Sequence, residues 1–159
     1  MSSLTHRMNY VLAGFANAGK TSLFNQLSHS HQKTGNFAGV TVDIKHSETV
    51  LLNHTVSLTD LPGISSLVIR DLQSQDVAMS QTYLQSHHLD CIINVVDATQ
   101  LHRQLYLTSQ LLELGLPLIV VLTKLDRQEA TVIDVEALSG ALDCPVVCLD
   151  NKQNNASTL

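Results

Sequence analysis

Residues 11–23 read VLAGFANAGKTSL: Gly14, four further residues, then Gly19, Lys20 and Thr21. No other stretch constrains the chain as tightly. The spacing is that of a P-loop, and its function depends on a strand before it and a helix after it. Met8 to Ala13 reads as a buried strand, and Leu23, Phe24 and Leu27 fall at helical spacing between Ser22 and Ser28. A strand that turns through glycines into a helix presents successive backbone N–H groups and a positive helix end to an anion. Gly14 and Gly19 permit the turn and the close approach that a side chain would block. Lys20 is expected between the terminal phosphates of a bound nucleotide, with the Thr21 hydroxyl on Mg²⁺. Ala16-Asn17-Ala18 also resembles a signal-peptide cleavage site, but Gly19-Lys20-Thr21 directly after it favours the phosphate loop.

A chain of 159 residues, 44% hydrophobic and 14% charged, reads as one globular domain with a substantial core. No apolar run approaches the ~20 residues of a membrane span. The net charge of −5 argues against a generic nucleic-acid or anionic-membrane surface. Cys91, Cys144 and Cys148 lie on or beside predicted strands and read as small reduced core residues, which points to a reducing cytosol. His29 with His31, and His87 with His88, sit in polar stretches without a neighbouring cysteine and read as solvated loop residues.

Strands and helices alternate along the chain. After the P-loop helix comes a polar stretch, Ser28 to Gly39. Val40 to Leu52 and Thr55 to Thr59 then read as a hairpin around Asn53-His54. Helices are expected at Gln75 to Gln85, Leu101 to Leu114 and Ile133 to Leu142, buried strands at Cys91 to Val96 and Leu118 to Leu122, and a last strand at Pro145 to Leu149. In Leu101 to Leu114 the apolar set is Leu101, Leu105, Leu111 and Leu112. The expectation is an α/β domain: a mostly parallel six-stranded sheet with helices on both faces and ligands at the carboxyl ends of its strands. Residues 1–150 make the domain and 151–159 a polar tail.

Two further motifs complete a site. Asp60-Leu61-Pro62-Gly63 ends a predicted strand forty residues after Lys20. Its carboxylate can hold Mg²⁺ opposite Thr21, and the Gly63 N–H can meet a γ-phosphate with no side chain in the way. Thr123-Lys124-Leu125-Asp126 follows the strand ending at Leu122. A carboxylate only accepts hydrogen bonds. Guanine offers two adjacent donors where adenine offers an acceptor, so Asp126 favours guanine. Lys124 would lay its aliphatic stem along the base. Gly14, Ala18, Gly19, Lys20, Thr21, Ser22, Thr123, Lys124 and Asp126 thus form a nucleotide-binding set for GTP or GDP.

In this order the three motifs are those of the Ras-like P-loop GTPases. The segment TGNFAGVTVD, residues 34–43, resembles the first switch segment of the ferrous iron transport protein B (FeoB) family. NAGKTSLFNQL, LTDLPGI, INVVDAT, LYLTSQLLELGLP and CPVV resemble the same family, and the likeness covers about residues 8–149. It implies that Thr41 completes the Mg²⁺ shell when GTP is bound, and that Asn17 helps hold K⁺ beside the phosphates. Lys20, Asn17, Thr41 and Gly63 would then carry catalysis. It also implies a nucleotide switch of a ferrous iron uptake transporter, at the inner face of the cell membrane. The partners would be the transporter's helical and membrane regions, in the same chain or another.

The chain departs from the family pattern at several positions. Phe37 stands for Trp, Phe15 for a second Asn, Val77 for Glu and Thr123 for Asn. Asp150-Asn151 replaces Ser-Ala in the last base loop; the Asn151 N–H can still reach guanine O6, while Asp150 adds negative charge there. Ile64 occupies the place of the water-orienting Gln of Ras-like enzymes, a departure that FeoB proteins share, and slow hydrolysis follows unless K⁺ compensates. Two readings stay open: a slow GTPase, and a nucleotide-sensing interaction module that does not hydrolyse. After Leu149 no amphipathic segment supplies the helix that normally shares a sheet face with the P-loop helix. The expected consequence is that the chain self-associates, swaps a segment, or is stabilised by polypeptide that follows it.

Overall fold

A computed structural model describes residues 7–28, 32–36, 43–68, 75–127 and 132–149, with 32–36 and residue 43 described by backbone alone. Seven strands form one sheet in the order β2-β3-β4-β1-β5-β6-β7. They are β1 (Met8–Gly14), β2 (Gln32–Asn36), β3 (Asp43–Leu51), β4 (His54–Asp60), β5 (Cys91–Asp97), β6 (Leu118–Thr123) and β7 (Val146–Cys148). The described residues also include four α-helices: α1 (Lys20–Ser28), α2 (Gln75–Ser86), α3 (Leu101–Leu112) and α4 (Val135–Leu142). The run from β4 through β7 is parallel, and β2, β3 and β4 pair antiparallel.

The six expected strands are all present, and β2 is added at the edge within the stretch read as polar connection. Gln-Lys-Thr-Gly-Asn shows no hydrophobic alternation; pairing with β3 from Gln32↔Ser47 to Asn36↔Asp43 makes it a strand. The hairpin turn also sits one residue earlier than expected. Leu51 pairs with His54, so Leu52-Asn53 are the turn residues, both with positive φ (49° and 66°). Two such residues match the right-handed twist of the flanking strands. Asn53 adopts this conformation readily; Leu52, 94% exposed, does so at some steric cost.

Register shows which helices share a face. Thr108 of α3 bonds Asn94, which is level with Ala13, and Tyr83 of α2 bonds Thr59, which is level with Val11. Ser47 donates to the Ser28 carbonyl at the end of α1, and Ser47 is level with Leu58 and Tyr10. Odd separation along β1 places Tyr10 opposite Val11 and Ala13. So α1 covers one face while α2 and α3 cover the other. On α1's face, farther along the sheet, Tyr10 and Ile119 are half-buried and Val147 is exposed. Residues 150–159, with the expected tail, lie outside the described residues.

The core runs through the central strands, with Val11, Leu12, Leu58, Ile92, Val95, Val120 and Leu122 fully buried beside Phe24 of α1 and Leu107 and Leu111 of α3. Of the expected set on α3 only Leu111 lies in the buried stripe. Gln104, Leu107, Thr108 and Leu111 face inward, while Leu101, Leu105 and Leu112 are only half-buried. Two polar residues are tolerated there because the sheet offers them partners. No helix among the described residues is long and apolar enough to cross a membrane. Cys91 and Cys144 are buried, as expected of core cysteines; Cys148 is exposed, on the three-residue edge strand β7.

Candidate functional site

β1 delivers its last residue, Gly14, to the carboxyl edge of the sheet beside β5. A Cβ on Gly14 would stand 2.4 Å from the Val95 carbonyl oxygen, so only glycine fits between the two strands. The chain then turns: Ala18 N–H donates to the Phe15 carbonyl (3.2 Å), with Asn17 at φ 64° and Gly19 at φ 100°. Left-handed backbone at two nearby residues folds the loop tightly and leads straight into α1 at Lys20. Ala18 is buried, Gly19 half-buried, and the Thr21 and Ser22 side chains are exposed on the first turn of the helix.

Lys20 and Asp60 meet in the buried floor of this cleft. Lys20 Nζ donates to Asp60 Oδ1 at 3.2 Å, with the two side chains only 8% and 7% exposed. β4 brings the carboxylate there because it runs parallel beside β1, with Asp60 level with Leu12. Beyond Asp60 the chain stays against the loop. Leu61 N–H donates to the Leu12 carbonyl (3.1 Å) and Ile64 N–H to the Gly14 carbonyl (3.0 Å). A Cβ on Gly63 would come within 2.7 Å of the Ala16 backbone, so this position also requires glycine. Ile64 packs into the core, 4% exposed, and its side chain is unavailable to orient a water.

β6 supplies the third segment. The Thr123 hydroxyl donates to the Ala18 carbonyl at 2.6 Å and lies 3.3 Å from that of Val96, tying this segment to the phosphate loop. Lys124, at φ 58°, reaches back so that Nζ donates to the Asn17 carbonyl (2.6 Å) and to Asp97 Oδ2 (2.6 Å). Asp126 stands exposed in the turn closed by Arg127 N–H on the Lys124 carbonyl. Thr41 and Asn151 lie outside the described residues, as do Phe37 and Asp150.

Asp97 is a site residue that motif reading passed over. It ends β5, its carboxylate is 3% exposed, and Oδ1 accepts from both the N–H (2.9 Å) and the hydroxyl (2.6 Å) of Thr99. Burial pushes its pKa up, but the bonds from Lys124 and Thr99 outweigh burial and hold the carboxyl below its ordinary value. Its own N–H donates to Gln104 Oε1 (2.9 Å). From Gln104 a buried polar chain continues: the Thr108 hydroxyl lies 3.4 Å from the Gln104 carbonyl and donates to Asn94 Oδ1 (2.6 Å), while Asn94 Nδ2 donates to the Ala13 carbonyl (3.2 Å). The available signal was an aspartate at the end of an apolar strand, an expensive residue to bury without a cation. A cavity of ≈ 440 Å³ opens beside these residues, bounded by Asn17, Gly63, Asp97, Arg103 and Lys124. The Arg103 guanidinium lies 5.4 Å from the centre of the Phe15 ring, so the residue replacing the family's second Asn carries a cation–π contact to α3.

The four histidines of the two sequence pairs differ in what can be said of them. His29 and His31 lie outside the described residues. His87 and His88 are exposed, yet His87 stacks on Tyr83 (4.0 Å between rings, 14° between planes) and His88 stands 3.5 Å from Asp90.

Residues 8–158 match the protein family described as ferrous iron transport protein B. The chain is 50% identical over 146 residues to the Fe(2+) transporter FeoB of Salmonella typhimurium strain LT2, an alignment covering 90% of this chain and 19% of that protein. It therefore spans about a fifth of the length of that relative. Among solved structures, the cytosolic domain of L. pneumophila FeoB superposes with a TM-score of 0.84 at 44% identity, over 90% of this chain and 62% of that one. A GDP-bound mutant of the S. thermophilus FeoB G-domain superposes with a TM-score of 0.78 at 40% identity, over 89% and 53%. With this fold, that of the Ras-like P-loop GTPases, and this extent of match, the chain belongs to the ferrous iron transport protein B family.

Proposed function

We propose that residues 1–150 are a G domain that binds GTP and GDP with Mg²⁺ and hydrolyses GTP slowly, with 151–159 a polar tail. The observation that carries this reading is the bond from Lys124 Nζ to the Asn17 carbonyl, which joins the base-reading and phosphate-cradling segments in one cleft. Gly14, Ala18, Gly19, Lys20, Thr21 and Ser22 would hold the phosphates, and Thr123, Lys124, Asp126 and the Asn151 N–H the base. Mg²⁺ suits the donors offered: the buried Asp60 carboxylate and the Thr21 hydroxyl are hard oxygens, with Thr41 as a third. When bound, the ion neutralises charge on the transferring phosphate. Lys20 and the Gly63 N–H would stabilise the same charge, and Asn17 would hold K⁺ beside it. Segments 28–41 and 60–75 would switch with the nucleotide.

GDP in a solved relative supports the ligand, and Asp126 supports the choice of guanine. Two charge-assisted bonds from guanine to Asp126 should favour GDP over ADP by at least about 2 kcal/mol, some thirtyfold. Calorimetric titration of both nucleotides into the parent chain and Asp126→Ala tests this; equal affinities in the parent chain would refute it. Phosphate release measured in K⁺ and again in Na⁺, with Asn17→Ala as control, tests the chemistry. Ile64, packed in the core, favours the second reading, nucleotide sensing without hydrolysis, and absence of phosphate release in both salts would establish it.

Membership of the family supports a role as nucleotide switch of a ferrous iron uptake transporter at the inner face of the membrane. Its helical and membrane regions, in this chain or another, would be its partners. The half-buried Tyr10 and Ile119 and the exposed Val147 on α1's side support self-association of the isolated chain, which light scattering reads directly.

A further inference from the structure

A groove of ≈ 520 Å³ runs between α2 and α3, and beside it two glutamines grip the backbone of one residue, Leu67. The Leu67 N–H donates to Gln110 Oε1 at 2.7 Å, and the same oxygen accepts from the Ser66 hydroxyl at 3.1 Å. The Leu67 carbonyl accepts from Gln81 Nε2. A peptide N–H can only donate and its carbonyl can only accept, so the polarity of both amides is dictated: Gln110 serves as acceptor and Gln81 as donor. The Leu67 side chain is buried in the core, which leaves its peptide little water to turn to.

The other end of the same segment is pinned to the phosphate loop. Ile64 N–H donates to the Gly14 carbonyl, and Gly63 packs on Ala16 too closely for any side chain. Residues 63–67 are therefore held twice, by the P-loop at one end and by α2 and α3 at the other. We propose that Gln81 and Gln110 are positioning residues that latch the backbone N–H and carbonyl of Leu67, hold the Gly63 N–H beside the phosphate cradle and so favour triphosphate over diphosphate. The inference rests on the guanine-nucleotide reading above and adds to it a determinant of which nucleotide state is preferred.

Bond polarity supplies the test. Gln110→Glu and Gln81→Lys keep the required acceptor and donor; Gln110→Lys and Gln81→Glu reverse them. The measurements are affinity for GDP and for a non-hydrolysable GTP analogue by calorimetry, and amide exchange of residues 64–68 without nucleotide. The two reversing variants should bind the analogue about fivefold more weakly, the loss expected for one net hydrogen bond. Their GDP affinity should stay within about twofold, and exchange at Leu67 should quicken. The two conserving variants should follow the parent chain. Amides of β5 report whether each variant is folded, and the two reversing variants remove the latch independently. Equal losses for both nucleotides would reduce the pair to a packing role and overturn the proposal. So would unchanged exchange at Leu67, or a Gln110→Glu variant as impaired as Gln110→Lys. A parent chain that binds no guanine nucleotide would refute the functional reading and the affinity claim together. Normal nucleotide binding with unchanged exchange would refute the latch alone.

Discussion

Replacing Asp97 with Asn keeps the side chain's shape and removes its charge. The amide oxygen can still accept from the Thr99 N–H and hydroxyl, but the amide nitrogen then faces the Lys124 ammonium across the 2.6 Å now occupied by a charge-assisted bond. Such a bond contributes about 1.5–3 kcal/mol when its groups are enclosed. The carboxylate is 3% exposed but Lys124 is 26% exposed, so the freed ammonium can regain water and the loss falls to about 1–2 kcal/mol. In a domain of this size that corresponds to a melting point lower by about 3–6 °C. Lys124 also loses one of its two anchors, the other being the Asn17 carbonyl, so its stem is no longer fixed where the base would lie. Guanine-nucleotide affinity should fall about tenfold, equivalent to roughly 1.4 kcal/mol. Thermal melting without nucleotide and calorimetric titration with GDP measure the two effects separately. Because the folded-state pKa of Asp97 lies below its ordinary 3.8, its contribution is complete above that value and is lost as pH falls through the lowered one. Parent and variant should therefore converge in stability in strong acid. A variant that melts with the parent at neutral pH and binds GDP equally well would show that Asp97 does not anchor Lys124.

Gly14→Ala places a methyl 2.4 Å from a backbone oxygen of the neighbouring strand, where neither strand can move freely, and should cost about 1–3 kcal/mol; an unchanged melting point would refute the steric argument. His46 bonds the Thr59 hydroxyl through Nδ1 (2.9 Å), and burial, with the charge of His87 second, lowers its pKa from 6.5. Below pH 6.5 the unfolded chain takes up a proton that the folded chain resists, so stability is lost as pH falls through the lowered value. His46→Gln should shrink the fall in melting point between about pH 7.5 and 5.5, and an identical fall in both proteins would refute this.

Much of the fold was legible because its determinants are local. A mostly apolar run of strand length bounded by turn chemistry reads as a buried strand, and β1, β5 and β6 were all visible on that ground. The same holds for the glycine spacing around Lys20, and for Asp60-x-x-Gly63 and Thr123-x-x-Asp126, where a few neighbouring residues imply a geometry. What stayed hidden depends on partners far along the chain. β2 is a strand only because β3 offers it a ladder, and nothing in Gln-Lys-Thr-Gly-Asn announces that edge. Part of the inward stripe of α3 is hidden because hydrophobicity ranks Leu101 and Leu105 above Gln104 and Thr108. The sheet reverses that order by presenting Asn94 and the Asp97 N–H to them.

The sequence by itself determined the chemistry on offer: glycines that let the backbone turn tightly, carboxylates that only accept hydrogen bonds, and apolar runs that seek the interior. Only the tertiary structure decided how those groups are held. Lys124 and Asp97 are 27 residues apart, and Lys124 and Asn17 are 107 apart. The backbone of Leu67 meets Gln81 and Gln110 only where two helices pass on one side of the sheet. A hydrogen bond acts over about 3 Å and carries no mark in the residues between its ends, so such pairings emerge only when packing has brought distant segments together.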